Sequence, residues 1–312
     1  MSIYHLAIMI VFAVLVASSL AIGALNISDP AFDSQLLLQT RLPRTMAAIL
    51  SGAVLAIAGV IMQSMARNRF VEPGTTGAIE WAILGMLCWI LFAPQTPIWI
   101  QLIVAVLFSL IGTFIYFVLL RSVPSSSPLM APLIGIIYAG IIGALVSLIA
   151  IHFDLLEFVW LWVQGDFSMI MQGRYELLFF TAILAFLAYR WADYLTAMNL
   201  SSSIAQNIGM NTQVIFALAI LAVATIAGTT AVMVGILPFV GLVVPNIVRL
   251  FLGDNLRKTL PWIAVLGAIF VLFCDVMARL MVPPFEMPVG LVMGAIGCPI
   301  FLWILYRQVK RV

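Results

Sequence analysis

Six stretches of the sequence each run for 20 or more residues without a charged side chain. They cover positions 6–25, 45–66, 98–120, 129–151, 213–234 and 287–306. A transmembrane helix needs about 20 apolar residues to cross roughly 30 Å of hydrocarbon, so each stretch is long enough to span a membrane alone. Overall, 64% of the 312 residues are hydrophobic and only 8% are charged, whereas soluble proteins carry about 25% charged residues. This composition excludes a water-soluble globular fold.

Four further spans are less regular. The run from Trp81 to Ala93 is too short to cross the membrane before prolines end it. This helix is therefore expected to start near Thr75, which places Glu80 within the membrane. The other three spans cover positions 175–194, 239–252 and 261–281. The sequence thus predicts an all-α polytopic membrane protein with ten transmembrane helices, in a single domain that covers residues 1–312.

The basic residues indicate how the spans are oriented. With a cytoplasmic N-terminus, ten Lys and Arg residues fall on the inner side and four on the outer side. The inner set is Arg67, Arg69, Arg121, Arg190, Arg249, Arg257, Lys258, Arg307, Lys310 and Arg311, and the outer set is Arg41, Arg44, Arg174 and Arg279. This distribution follows the positive-inside rule, so both termini are expected to be cytoplasmic. The net charge of only +2 excludes a nucleic-acid-binding protein.

An amphiphilic outer segment at 152–174 divides the ten spans into two sets of five. Because five is an odd number, two related halves would cross the membrane in opposite directions, as they do in transporters built from inverted repeats. We therefore expect two inverted five-helix halves, although the halves show no evident similarity in sequence.

Three outer arginines stand where the positive-inside rule predicts few cations. Arg41 and Arg44 directly precede the second span, and Arg279 lies about 18 residues, or roughly 27 Å, from the inner end of its helix. Two interpretations stay open. The arginines dock an acidic partner protein, or they anchor the interface and are balanced locally by Asp29 and Asp33.

Two carboxylates lie within predicted spans, where an ionisable group is a functional candidate because its burial is costly. Asp275 precedes Arg279 by four residues, which is the spacing of an ion pair within a helix. Glu80 has no cation within a helical turn on either side. It either lines a transport pathway or is a protonated or hydrogen-bonded carboxyl packed between helices.

An uncharged inner segment at 195–212 predicts a short helix with one apolar stripe. Apolar residues recur at every fourth position, at Leu200, Ile204 and Ile208. Asn199 or Ser201 is a candidate cap for its start, and Gly209 is a candidate for its end. Such a helix is not needed to cross the membrane, so it lies in the membrane interface or inserts into a groove of another protein.

The sequence contains no recognisable catalytic or metal-binding pattern. His152 has no companion at metal-ligand or catalytic-triad spacing, and the nearest approach to a phosphate-binding loop has Arg257 where glycine is required. The three cysteines lie in apolar stretches at unrelated spacings, at Cys88, Cys274 and Cys298. We therefore expect no catalytic site, no metal site and no cofactor.

Four segments together resemble the membrane permease of iron-siderophore and vitamin B12 ABC importers. They are RLPRTMAAILSGAVLAIAGVIMQSMARN (41–68), FVEPGTTG (70–77), FVGLVVPNIVRL (239–250) and DVMARLMVPPFEMPVGLVMGAIGCPIFLWIL (275–305). The resemblance covers nearly the whole chain and implies a type II importer permease in the bacterial cytoplasmic membrane. It also implies four kinds of partner: a second permease subunit that is identical or paralogous, two cytoplasmic ATP-binding subunits, an extracytoplasmic siderophore-binding protein and membrane lipid.

The resemblance further implies roles for individual residues. Arg41, Arg44 and Arg279 fall where the family places outer arginines that meet acidic residues of the binding protein. The inner segment matches the contact with the ATPase, with Asn199, Leu200, Ile204, Ile208 and Gly209 as its coupling residues. Inner-gate regions beside the pathway are matched by Glu80, Ser125, Ser126 and Ser127.

Departures from the family pattern concern the inner gate and the substrate. Asn246 stands where histidine is common, and Glu80 stands where small or polar residues are usual. The segment at 69–71 resembles the branch for ferric catecholate-type siderophores more than the vitamin B12 branch.

The expected function is inward translocation of a ferric siderophore by alternating access, driven by ATP hydrolysis in partner subunits. Three alternatives stay open. The chain is a vitamin B12 or haem permease of the same family, or an ion-coupled secondary transporter in which Glu80 and Asp275 bind the driving cation. The third alternative is a membrane protein with a purely structural role.

Overall fold

The computed structural model describes residues 3–22, 35, 37–123, 129–200, 211–283 and 285–309. Within these ranges the chain forms twelve α-helices. They are α1 (Ile3–Ala21), α2 (Leu42–Ala66), α3 (Ala78–Phe92), α4 (Ile98–Ser122), α5 (Met130–His152), α6 (Leu156–Gln164), α7 (Leu177–Arg190), α8 (Ala192–Leu200), α9 (Thr212–Met233), α10 (Val240–Leu252), α11 (Leu256–Met281) and α12 (Val289–Val309). A π-helical turn, Leu37–Arg41, leads into α2, and a 3-10 turn, Pro73–Thr75, precedes α3.

The predicted spans correspond to ten of these helices. Six are long and apolar enough to cross a membrane, namely α2 with its preceding turn, α4, α5, α9, α11 and α12. Four shorter apolar helices, α1, α3, α7 and α10, occupy the remaining predicted spans. The other two helices, α6 and α8, are nine residues each and lie between spans. The all-helical, ten-span prediction is confirmed.

Two pairs of glycines let α2 approach its neighbours at backbone distance. A Cβ added at Gly52 would lie 2.4 Å from the carbonyl oxygen of Gly267 in α11, and one added at Gly59 would lie 2.0 Å from that of Gly241 in α10. Small residues at helix crossings allow this close packing where lipid supplies no hydrophobic driving force. Helix α2 therefore forms the centre of the bundle, and residues Val54, Ala56, Ala58 and Val60 are almost completely buried.

Replacing Gly59 by alanine is expected to lower the free energy of unfolding by about 1–3 kcal/mol or more, because the new methyl group overlaps the α10 backbone. The matched control is Gly140→Ala in α5, where a Cβ meets nothing within 4 Å. Alanine there should leave the stability unchanged or slightly higher. Thermal unfolding of both purified variants in mild detergent measures the difference, and equal midpoints would contradict the close approach of α2 and α10.

The helix packing relates the two halves of the chain to each other. The first half comprises α1 to α5, and the spans of the second half are α7 and α9 to α12. The second span of each half packs extensively on the fourth span of the other, α2 on α11 and α9 on α4. The third span of each half, α3 or α10, is short and follows irregular backbone. This reciprocal pattern agrees with two inverted halves, in which interrupted helices occupy corresponding positions.

Candidate functional site

The first candidate site is an outer arginine cluster, formed by Arg41, Arg44 and Arg279 with the carboxylates of Asp275 and Glu286. Arg44, in the first turn of α2, donates hydrogen bonds from Nε and Nη2 to Asp275 Oδ1 at 3.1 and 2.8 Å. Its Nη1 lies 2.5 Å from Glu286 Oε2. Arg279 donates from Nη2 to the other oxygen of Asp275, which is 0% exposed. The predicted pairing of Asp275 with Arg279 is confirmed, and Arg44 joins it from another helix.

The same cluster holds the end of α1. Arg279 donates from Nη1 to the carbonyl oxygens of Ser19 and Ile22, each at 2.9 Å. Arg41 donates from Nη1 to the carbonyl oxygens of Leu20 and Ala21, each at 3.0 Å. The last carbonyls of a helix have no partner within the helix and carry its partial negative charge. The guanidinium groups supply both the missing donors and the opposite charge.

The three arginines are buried within the chain. Their exposed fractions are 6% for Arg41, 9% for Arg44 and 7% for Arg279. The docking role of these residues stays a prediction. In this structure the three side chains form hydrogen bonds inside the bundle.

The second candidate is Glu80, in the first turn of α3. Its Oε2 atom is buried and has no hydrogen-bond partner among the residues that the structure describes. Glu80 lines a groove of about 470 Å³ together with α5 and α6. The α5 wall consists of small and apolar residues, namely Ile136, Ala139, Gly140, Gly143, Val146 and Ser147. The groove also reaches Val159 and Val163, so Glu80 faces a space that extends from the start of α3 to α6.

A buried polar chain between α2, α10 and the 67–77 linker was not anticipated from the sequence. Gln63 Nε2 donates to the carbonyl oxygen of Gly241 at 3.0 Å, and Arg249 Nη1 donates to Gln63 Oε1 at 2.9 Å. The backbone amide of Phe239 donates to Glu72 Oε1 at 3.3 Å. Glu72 is only 4% exposed, although the sequence predicts that the linker that carries it is a loop on the inner side. The available signal was Gln63 itself, a polar residue inside an uncharged run.

Asn246, which stands where the family commonly has histidine, belongs to the same region. Its Nδ2 donates to the carbonyl oxygen of Arg69 at 2.8 Å and to that of Leu242 at 2.7 Å. The side chain therefore fastens the 67–77 linker to α10.

Part of the predicted coupling segment lies outside the described residues, and so do Ser125, Ser126 and Ser127. The same holds for Ile204, Ile208 and Gly209. Asn199 and Leu200 belong to the last turn of α8, which begins at Ala192. The helix for which Asn199 or Ser201 is the predicted cap lies outside the described residues, so the choice between them stays a prediction.

Helix α8 is fastened to the start of α11. Arg257 forms an ion pair with Asp193, and the backbone amide of Leu256 donates to Thr196 Oγ1 at 3.3 Å. Leu195 is 3% exposed. Helix α8 is thus attached directly to the start of α11.

Comparison with known proteins adds an independent line of evidence. The FecCD transport family matches residues 2–307. The chain is 37% identical over 306 residues to the petrobactin import system permease protein YclN of Bacillus subtilis, with 96% of each chain covered. It is 38% identical over 305 residues to the ferric-anguibactin transport system permease protein FatD of Vibrio anguillarum, covering 96% of this chain and 97% of the other.

The fold is also similar to a solved structure. A metal-chelate type ABC transporter in an inward-facing conformation superposes with a TM-score of 0.82 and 26% sequence identity. The superposition covers 97% of this chain and 98% of the other. The likeness thus extends over the complete bundle of spans.

Proposed function

Because the chain belongs to the FecCD transport family, we propose that it is the permease subunit of an ATP-driven importer that moves a ferric siderophore across the bacterial cytoplasmic membrane. The observation that carries this proposal is the nearly full-length likeness to permeases named for petrobactin and ferric anguibactin. The whole chain, 1–312, acts as one permease domain. Both termini face the cytoplasm, in accord with the positive-inside distribution.

The work of this subunit is conformational. A second permease subunit completes the pathway, two cytoplasmic ATP-binding subunits hydrolyse ATP, and an extracytoplasmic binding protein delivers the ferric siderophore. The interrupted spans α3 and α10 support alternating access, because irregular backbone is tolerated at membrane depth only where it is buried in protein or lines a cavity. The hydrogen bond from Asn246 to the carbonyl oxygen of Arg69 joins α10 to the irregular 67–77 linker.

Uptake into sealed vesicles tests the function. We expect ATP-dependent uptake of a ferric siderophore that persists when an uncoupler dissipates the ion gradient. Uptake that follows the ion gradient instead would establish the ion-coupled alternative. Competition by vitamin B12 or haem would show that the chain is a vitamin B12 or haem permease of the same family. Absence of all uptake with the complete set of partners would indicate a structural role.

We place the docking of the binding protein at the outer arginine cluster. Its three guanidinium groups and two carboxylates leave one net positive charge at the outer end of the bundle. Acidic residues of a partner complement such a charge, and complementarity of this kind governs the rate of association and the register.

Arg41→Glu is expected to weaken binding-protein affinity at low salt by about tenfold or more, because a carboxylate then faces the acidic partner. Arg41 is the better target, since a carboxylate at position 44 would lie against Asp275 and Glu286. The matched control is Arg41→Gln, which loses the bonds to α1 without reversing the charge. Surface plasmon resonance measures the affinity of the binding protein for each variant. Equal affinities of the two variants would show that the binding protein does not dock at this cluster.

We also propose that Glu80 lines the translocation pathway. The support is its unpartnered Oε2 atom and the groove that it faces. Such a carboxylate repels an anionic ferric chelate and keeps it from lingering in the pathway. Glu80→Gln should therefore change the transport rate while the complex assembles normally.

Thiol labelling decides where residue 80 faces. With the native cysteines replaced by serine, Glu80→Cys should react with a hydrophilic maleimide in at least one nucleotide state. The control is Ile79→Cys, because the neighbouring side chain is only 2% exposed and should not react. If the two positions are equally unreactive in every state, Glu80 is a packing residue.

The contact with the ATP-binding subunits is proposed at residues 195–212. Support comes from the attachment of α8 to α11 through Asp193 and Thr196. Helix α11 has 26 residues and so is about 39 Å long, and it carries Asp275 and Arg279 near its outer end. One rigid element thus connects the inner coupling segment with the outer arginine cluster.

A further inference from the structure

A groove of about 1080 Å³ opens on the inner half of the bundle and borders the proposed ATPase contact at Thr212. It lies between the end of α2, the second half of α4 and the start of α9. Its walls are largely apolar and include Leu110, Ile111, Phe114, Phe117, Phe216 and Leu221. The groove is therefore suited to a hydrocarbon chain.

The groove opens toward the bilayer. Exposed apolar residues follow one face of α4 at helical spacing, at Ile103, Leu107, Ile111, Phe114 and Val118, and each is about half exposed. On a helix that spans a membrane, an uninterrupted apolar face of this kind is suited to contact with lipid. Two of its members, Ile111 and Phe114, belong to the groove wall as well.

Two arginines stand at the inner end of the groove. Arg67 follows α2 in a left-handed conformation with φ of 48°, and the guanidinium carbon of Arg121 lies 4.6 Å from the centre of the Phe216 ring. In the part of the chain that the structure describes, neither forms an ion pair with a carboxylate. Other inner arginines do, since Arg69 and Arg257 pair with acidic residues. The positive charge at the groove is therefore uncompensated.

The start of α9 adds to this charge. Thr212 and Gln213, the first residues of the helix, line the groove. The N-terminus of a helix carries a partial positive charge that attracts anions. Asn211 Oδ1 accepts from the backbone amides of Gln213 and Val214, so this terminus acts through its charge rather than through those two amides. The site thus combines two cations and a helix terminus at headgroup level with an apolar channel directly above them.

We propose that this groove binds an anionic phospholipid of the inner leaflet. Arg67 and Arg121 hold its phosphate, and an acyl chain lies along Phe114 and Leu221. Basic pockets between transmembrane helices on the cytoplasmic side recognise anionic headgroups in this way. A peptide segment fits less well, because the walls continue into the lipid-facing surface of α4 and offer few polar partners for a backbone.

Native mass spectrometry of the importer complex, reconstituted with phosphatidylglycerol or phosphatidylcholine and released in mild detergent, tests the proposal. We expect retained phosphatidylglycerol and little retained phosphatidylcholine. Arg67→Gln combined with Arg121→Gln should lower the retention of phosphatidylglycerol by roughly twenty-fivefold, about fivefold for each arginine. The control is Arg307→Gln, because Arg307 also stacks on an aromatic ring, 4.7 Å from Trp303, but does not line the groove.

A second variant tests the apolar part of the site. Ala217 lines the groove and is exposed, so Ala217→Phe fills the space while both arginines remain. Retention should fall although the charge is unchanged. Equal retention in the double arginine variant and the Arg307→Gln control would overturn the proposal. So would equal retention of the two lipids. The same holds if the permease alone retains the lipid and the importer complex does not, because a protein segment would then be the occupant.

Discussion

Replacing Asp275 by asparagine is expected to lower the free energy of unfolding by about 3–5 kcal/mol, because it leaves two buried guanidinium groups without their shared counter-ion. Asp275 is completely buried and accepts hydrogen bonds from Arg44 and Arg279. Among the residues that the structure describes, Arg44 keeps Glu286 as a partner, whereas Arg279 keeps only the neutral acceptors Ser19 and Ile22. The loss of stability should therefore be largest at the junction of α1 and α11.

Denaturant or thermal unfolding of the purified permease in mild detergent measures this loss. The matched control is Asp254→Asn, since Asp254 pairs with Arg69 on the surface, where both side chains are largely exposed. An exposed pair contributes only about 0.2–1 kcal/mol. If the two variants unfold alike, the outer carboxylate is not the counter-ion of a buried cluster.

Replacing Ile204 by aspartate is expected to abolish association with the ATP-binding subunits or to uncouple ATP hydrolysis from uptake. In the proposed importer, the permease receives the energy of ATP through a contact on its inner face, and an uncharged segment suits an apolar groove. Removal of one anchored apolar side chain from a site as tight as a protein core costs about 2–5 kcal/mol, and a charge there costs more.

The control for this variant is Gln206→Asp, which adds the same charge two positions away, on the opposite side of a helix. Copurification and ATP-driven uptake are compared in the two variants, and docking of the binding protein on the outer side should persist in both. If the Ile204→Asp variant assembles and transports its substrate normally, the segment lies in the membrane interface and does not contact the ATP-binding subunits. The contact would then lie in the loops at 67–73 or 253–260.

The positions of the spans could be predicted from the sequence because they depend on local composition. The uncharged run at 98–120 becomes Ile98–Ser122, and the run at 129–151 becomes Met130–His152. The third span was expected to start near Thr75 and begins at Ala78, directly after a 3-10 turn. Apolar length alone decides such elements, since a helix satisfies its own backbone within the membrane.

The environment of the charged residues could not be predicted in the same way. Arg44 and Asp275 are separated by 231 positions, and only the packing of α2 on α11 brings them together. Arg279 could be predicted as a partner of Asp275, because the two residues lie four positions apart in one helix. The burial of Glu72 against Phe239 likewise depends on two irregular segments meeting in the bundle, and neither segment carries a sequence signal for this contact.

The attachment of α1 to Arg279 has a consequence for biosynthesis. Ser19 and Arg279 are 260 positions apart, so the first helix leaves the ribosome long before its final donor exists. At about 5–20 residues per second, this interval is roughly 13–52 s. During that time Arg41 can already donate to the carbonyl oxygens of Leu20 and Ala21, whereas those of Ser19 and Ile22 depend on water at the membrane surface. The outer arginine cluster therefore closes as one of the last steps of membrane insertion, after α11 has crossed.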